Sequence, residues 1–526
     1  LWTTVTVGGR GSGGGDGGDV SVTNTGTIST SGAGGVGIFA QSVGGGGGTA
    51  GDLENGFSGS WLDLNIGAGV GFQGNAGAGG DGGTISVDSG TISTTGARAH
   101  GIVAQSIGGG GGIAQVSGFF GDGLSTYVGS GGDAGSGGDV TVNTTGSVSV
   151  SGADAVGIVA LSASGTGANN TAGDVSVDVG NDVTASGAGG RGILASSATQ
   201  DSQAGGRVNI AIAPGATVST GADGAETVGV RSSDLVTIIN SGTIESGNAD
   251  SFALRIDKEA DVYQVFNESG ATLTGSVVLP SAAGLLENSG TFNMGALVSF
   301  AGLDNPAANL RDGNGLDLMT GGMISPAGVG TVGTTDYYAG VFNWTGGTYA
   351  VDLDLAASGN TADLIRTTLP FTQAGNPIVV DGIIAPKLTA SAGAGSLSGS
   401  ETIMTSNQLF DISSAEVTQT AAVTYQVRTS GENALSVMNL AYKVSGTPWS
   451  GNKTERAKIP DGLGGRIGRN TNAFGRYVEA QLLNPVADGE AEFASAFLAK
   501  VLNIEDVPTL LSAYEEYLPE EVLVAT

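Results

Sequence analysis

The chain repeats itself. Val20-Ser21-Val22, preceded by Gly17-Gly18-Asp19, recurs as Ile85-Ser86-Val87 after Gly82-Gly83-Thr84, as Val140-Thr141-Val142 after Gly137-Gly138-Asp139, and as Val175-Ser176-Val177 after Gly173-Asp174. A second short strand follows a Gly turn in Gly26-Thr27-Ile28, Gly90-Thr91-Ile92 and Gly146-Ser147-Val148. A third follows in Gly37-Ile38-Phe39-Ala40, Gly101-Ile102-Val103-Ala104, Gly157-Ile158-Val159-Ala160 and Gly192-Ile193-Leu194-Ala195. From first strand to third the offset is 18, 17, 18 and 18 residues, whereas Ile38, Ile102, Ile158 and Ile193 are 64, 56 and 35 residues apart. The unit is constant and the variation sits in an insertion. Three short strands per unit with a translational repeat predict an all-β solenoid, because no unit buries its apolar side chains alone and each covers the next. Ile38, Ile102, Ile158 and Ile193 are expected to form one interior column, with Ala40, Ala104, Ala160 and Ala195 beside it.

The insertions open at the Gly44 to Gly48 and Gly108 to Gly112 tracts, and one of them alternates Leu62, Leu64 and Ile66 with Asp63 and Asn65. Such tracts usually read as flexible linkers; within this repeat they are expected as ordered corners or packed insertions. The repeat loosens after about residue 205 but persists in Asn240-Ser241-Gly242-Thr243-Ile244, Asn267-Glu268-Ser269-Gly270-Ala271-Thr272-Leu273 and Asn288-Ser289-Gly290-Thr291-Phe292. Strand-like alternation continues in Val351 to Leu355 and Val423 to Val427, up to about residue 444. Beyond the polar residues that follow, the period changes from 2 to 3.6: Phe493, Phe497 and Val501 share one helical face, and Asp506 with Pro508 opens a second helix carrying Leu510, Leu511, Tyr514 and Leu518. The expected divisions are Gly-rich repeats with insertions over 1–205, regular coils over 206–340, a C-terminal β segment over 341–444, a linker over 445–490 and a helical segment over 491–526.

Composition narrows the function classes. The 526 residues include 97 Gly, 19 Lys and Arg, and 49 Asp and Glu, giving a formal net charge of −30. A Gly content this high argues against ordinary helical or α/β domains. Hydrophobic residues at 39% supply a core, so the chain is not a charge-driven disordered one. A surface this acidic repels phosphate backbones, so nucleic acid is excluded as a partner. No Cys is present, which removes disulfides and thiolate metal sites and fits an extracellular chain stabilised by repetition. The chain opens at Leu1 with neither a Met nor the basic-then-apolar pattern of a signal peptide, as expected of a processed chain or a fragment.

No catalytic constellation emerges. His100 is the sole His, and the sister units place Val36, Val156 and Arg191 at the equivalent position, so it is read as a tolerant corner. There is no Gly-Asp-Ser-Gly run, and Ser89 belongs to a repeated corner. Gly32 to Gly37 and Gly187 to Gly192 match the dinucleotide fingerprint in letters, but a strand follows where pyrophosphate binding needs a helix N-terminus. Gly14-Gly15-Asp16-Gly17-Gly18-Asp19 is similar to a calcium-binding nonapeptide, which makes Asp16, Asp19, Asp133 and Asp139 the weak metal candidates. Ser21 fills the slot where that motif needs an apolar residue and no nine-residue period follows, so no cofactor is expected. Asp352 and Asp354 are read as the outward polar face of an amphipathic strand.

Gly37 to Gly48 and Gly101 to Gly112, with their shared Ala-Gln-Ser core, together with the Asn-Ser-Gly-Thr-Ile coils, resemble the passenger region of bacterial autotransporters. Thr345 to Leu353 and Asp363-Leu364-Ile365 resemble the pertactin-like segment that ends such passengers. Asn470-Thr471-Asn472, the two helices and Leu518-Pro519-Glu520-Glu521 resemble the stretch before the translocator barrel, whose own strands are missing after Thr526. The resemblance implies right-handed parallel β-helix winding, a folding-assisting C-terminal segment, and export across the outer membrane to the cell surface or medium of a Gram-negative bacterium. The membrane would be met only through the barrel. The function expected is non-enzymatic, in adhesion or extracellular fibre assembly, with end-to-end or lateral self-association and with host, surface or matrix glycans or proteins as partners. The alternative is a polysaccharide-degrading β-helix enzyme, which needs carboxylates clustered with Arg or Lys; only 19 basic residues are present and no such cluster recurs.

Overall fold

A computed structural model describes residues 14–46, 79–109, 114–116, 126–128, 135–164, 170–199, 205–232, 234–248, 251–257, 260–301, 315–355, 362–368, 377–390, 396–432, 435–448, 467–483 and 498–516. The chain is all-β, built on a long sheet of many parallel strands, with helices α1 (Ile467–Leu483) and α2 (Val507–Glu516) near its end. It divides into two compact units. The first comprises Leu1–Thr291, Leu297–Leu316 and Tyr338–Val341; the second comprises Phe292–Ala296, Asp317–Tyr337 and Phe342–Thr526.

In the first unit each strand of a repeat pairs in parallel with its counterpart in the next. One column runs Val20, Ile85, Val140, Val175, Val208, Val236, Tyr263, Gly284 without a slip at these positions. A second runs Ile92, Val148, Val183, Val218, Ile244, Leu273. The third runs Ile38, Ile102, Ile158, Ile193, Val228, Leu254, with Ala40, Ala104, Ala160, Ala195 two residues on, as the repeat predicts. Ile102, Ile158 and Ile193 have no exposed surface. Each such side chain contributes about 1.5–3 kcal/mol by leaving water. Gly284 is small because the Tyr263 ring occupies the place of its Cβ.

Polar ladders lock the same register. Ser42 Oγ donates to Gly18 O and accepts from the Gly83 N–H, both at 2.8 Å. Ser106, Ser162 and Ser197 repeat the bridge to Gly83 and Gly138, Gly138 and Gly173, and Gly173 and Gly206. Each serine thus ties the end of one repeat to the starts of two. Later, Asn240 Nδ2 donates to Asn267 Oδ1 (2.8 Å) and Asn267 Nδ2 to Asn288 Oδ1 (2.7 Å), so the Asn of the Asn-Ser-Gly-Thr coils is a buried amide stack.

The glycine tracts, where described, are packed corners. Gly45 N–H donates to Gly15 O (2.7 Å), Gly80 N–H to Gly45 O (2.9 Å) and Gly109 N–H to Gly80 O (2.8 Å). A Cβ on Gly80 would overlap the Gly15 carbonyl, and one on Gly44 the Gly80 carbonyl. Only glycine lets these backbones interleave at that separation. Leu62, Leu64 and Ile66 lie outside the described residues.

In the second unit, residues Trp344 to Asp354 of the strand Val341–Asp354 pair in parallel with Ile378–Ala390, and Leu364–Thr368 with Ser398–Ser406. Tyr337, Phe342, Trp344 and Tyr349 form an edge-to-face run with ring centroids 5.4, 6.1 and 6.3 Å apart. Pairing then turns antiparallel: Leu435–Val444 lies between Ser398–Ser406 and Val423–Glu432. The stretch 445–490, expected as a linker, contains α1. Its helical period was obscured by Gly468 and Gly475, but Gly475 meets Gly446 backbone to backbone, Val478 is fully buried, and Phe474 lies 4.9 Å from the Tyr514 ring. Asp506 caps α2, accepting the Thr509 N–H (2.8 Å), and Leu510, Leu511 and Tyr514 are buried. Phe493, Phe497 and Leu518 lie outside the described residues. Among the described residues no helix is long and apolar enough to cross a membrane.

Candidate functional site

The acidic corners do structural work on the ladder. Asp16 Oδ1 accepts the Asp81 N–H (2.9 Å), and Asp81 Oδ1 in turn accepts the Ser136 N–H (2.7 Å). On a parallel line Asp19 accepts from Thr84, Asp139 from Asp174, and Asp174 from Arg207, at 2.8, 2.8 and 2.7 Å. The Thr84 N–H and hydroxyl hold the Asp19 carboxyl below its ordinary range. Each carboxylate therefore satisfies a backbone donor of the next repeat. Asp133 lies outside the described residues. Among those described, no three His, Cys, Asp or Glu side chains are grouped to hold a metal ion.

The turn before the third strand explains the fingerprint-like glycines. Gly34, Arg98, Asp154 and Gly189 occupy its left-handed position at φ 68°, 54°, 56° and 68°. Their N–H groups donate to Ala97, Ala153, Ala188 and Asp223 of the following repeat, at 2.7–2.8 Å. A strand, Ile38–Val43, follows the first of these turns, where the fingerprint needs a helix.

His100 is not the tolerant corner its sister residues suggested. It is 4% exposed, and its Nδ1 accepts the Val156 N–H at 3.0 Å. Burial, with the Arg191 charge second, pushes its pKa down to about 4, so it is a neutral acceptor. Val156, Arg191 and Glu226 occupy the next three rungs, all buried. The column accepts different side chains because each is compensated locally: Arg191 Nε meets Glu226 Oε1 at 2.9 Å. Burial still outweighs that cation and pushes Glu226 up to about 7.

Asp352 also departs from expectation. It is 1% exposed, while Asp354 is half-buried, so the two are not a shared outward pair. Asp352 Oδ2 accepts the N–H groups of Gly330 (2.6 Å) and Thr331 (3.1 Å), and its own N–H donates to Asp363 Oδ2 (2.9 Å). Asp363 Oδ1 accepts from Gly333 N–H at 2.7 Å. The two carboxylates clasp the 327–333 turn, whose Ala327, Gly328 and Gly330 have φ of 55°, 85° and 103°. Burial pushes Asp363 up to about 8 against the N–H bonds from Asp352 and Gly333. Burial likewise raises Asp352, against those of Gly330 and Thr331 and the Lys387 charge. Asp363 was visible in the sequence only as part of Asp363-Leu364-Ile365, and nothing in its spacing pairs it with Asp352.

Asp16, Asp19, Asp81, Asp139, Asp174, Asp352 and Asp363 thus all accept backbone N–H groups, an arrangement suited to fixing turns. The side chains left for contact with other molecules lie on outward faces, where Phe39 is 38% and Val43 49% exposed. No family model, curated protein or solved structure matches the chain.

Proposed function

We propose that the chain is a right-handed parallel β-helix, the passenger of an autotransporter-type system, carried to the surface or medium of a Gram-negative bacterium, where it serves adhesion or extracellular fibre assembly. The observation that carries this reading is the in-register stacking of the three strand columns, with Ile, Val and Ala filling the inward positions. An interior filled in this way has no cleft to offer a substrate, and recognition falls to outward faces and insertions. The acidic corners support the non-catalytic part of the proposal, because each described Asp of the repeat named above accepts a backbone N–H. End-to-end or lateral contact with further copies, and binding to glycans or proteins of a host, surface or matrix, are the interactions this architecture suits.

Electron microscopy of the native material, paired with a polysaccharide screen of the purified chain with and without calcium, tests the proposal. Rods, tethered spikes or fibres with no depolymerisation support it. Release of reducing ends from any polysaccharide overturns it in favour of a β-helix hydrolase or lyase.

A further inference from the structure

Two strands of the second unit carry an edge residue whose backbone groups pair with a side-chain amide instead of a neighbouring strand. Val423–Glu432 pairs with Leu435–Val444 on one side, Tyr425 opposite Tyr442. On its other side Gln419 Nε2 donates to Tyr425 O (3.0 Å) while Gln419 Oε1 accepts the Tyr425 N–H (2.7 Å). Two residues earlier, the Thr420 N–H donates to Val423 O (3.2 Å) and Thr420 Oγ1 accepts the Val423 N–H (2.9 Å). The same device recurs on Ile378–Ala390, where Asn503 Oδ1 accepts the Leu388 N–H (2.8 Å) and Nδ2 donates to Leu388 O (2.7 Å). A primary amide carries one acceptor and donors side by side, so it stands in for one residue of an absent neighbouring strand.

We propose that the outer edge of Val423–Glu432 is a docking surface for a second copy of this chain, and that Gln419 and Thr420 hold it shut. Alternate residues of an antiparallel strand turn both backbone groups to one side, so Val427 and Thr429 face the same edge as Val423 and Tyr425. An identical edge meets it across a two-fold axis. With Val427 opposite its counterpart, the hydrogen-bonded pairs are Tyr425 with Thr429, Val427 with Val427, and Thr429 with Tyr425. Two of these three need the Tyr425 N–H and C=O, which Gln419 occupies. In the same register Arg428 faces Gln426 of the second copy, a contact these residues already make within one chain at 2.8 Å. Charge does not oppose this pairing: Val423 to Gly431 contain no acidic residue in a chain of net charge −30. The inference stands on these hydrogen bonds and does not depend on the adhesive or fibrous reading.

Sedimentation of the full chain, of Gln419→Ala, and of Gln419→Ala with Thr429→Pro tests it. Gln419→Ala is expected to double the mass of the parent species and to tighten self-association at least about tenfold, since the edge is freed in both copies. Thr429→Pro removes an edge N–H and returns the parent mass. An unchanged mass for Gln419→Ala with a native circular dichroism spectrum overturns the proposal, as does a dimer that survives Thr429→Pro. Should Gln419→Ala fail to fold, amide exchange on the parent decides: protection of Tyr425 supports the lock, and free exchange there overturns it.

Discussion

Ser162 and Ser164 lie two residues apart on the fully buried strand Val156–Ser164, yet their hydroxyls have opposite circumstances. Ser162 Oγ donates to Gly138 O and accepts from the Gly173 N–H, each at 2.8 Å, whereas Ser164 Oγ is buried with no partner. Replacing Ser162 by Ala removes two hydrogen bonds worth about 0.5–1.5 kcal/mol each, and it strands one donor and one acceptor. Gly138 and Gly173 are half-buried, so water recovers part of that loss and about 2 kcal/mol is expected. Ser164→Ala removes a hydroxyl that was desolvated for nothing, so it should be neutral or stabilising by up to about 1 kcal/mol. Repeats open locally, so the sensitive assay is amide exchange at Gly173, which should accelerate about thirtyfold in Ser162→Ala and stay unchanged in Ser164→Ala. Equal effects, or a larger one at Ser164, would refute the view that the serine column locks the register.

Three further outcomes follow from the same geometry. His100→Ala leaves the Val156 N–H without its acceptor in a buried position and should cost about 1–3 kcal/mol in urea unfolding, more than the few tenths expected of a corner; Ile102→Asp should unfold the neighbouring repeats outright. Asp363 binds its proton more tightly folded than unfolded, so its contribution is complete below the ordinary carboxylate range and is lost as pH rises through about 8; Glu226 acts in the same direction through about 7. Urea midpoints measured between about pH 5 and pH 9 should therefore fall in the parent and fall less in Asp363→Asn. Excess chelator should leave thermal unfolding unchanged, because Asp16, Asp19 and Asp139 are engaged by backbone N–H groups; a large downward shift of the midpoint would make them ion sites.

The strand columns were legible because period-2 alternation and a constant 17–18 residue offset act at short range, and register then follows from burying Ile on Ile. Asp352 was misread by the same rule. Alternation in Val351 to Leu355 marks a strand with one wet face, but the clasp with Asp363 and the 327–333 turn covers both faces there. The His100 column looked permissive since dissimilar residues share it, and only the third dimension reveals that Arg191 and Glu226 compensate each other. Helix α1 was hidden because Gly475, costly for a helix in isolation, is needed for close approach to Gly446. Asn503 and Leu388 are 115 residues apart, and no local pattern announces such a meeting.

Neighbouring rungs of the first unit join residues 64 apart at Gln41 and Gln105 but only 35 apart at Asp139 and Asp174. Closing the longer loop costs only about 0.5 kcal/mol more chain entropy than closing the shorter, since the dependence on length is logarithmic. Insertion length is therefore nearly invisible to folding. Each stretch can zip onto a neighbouring rung as soon as its three strands are present, without waiting for distant sequence. Assembly of this kind proceeds as a travelling front instead of a global collapse, each rung serving as the template for the next.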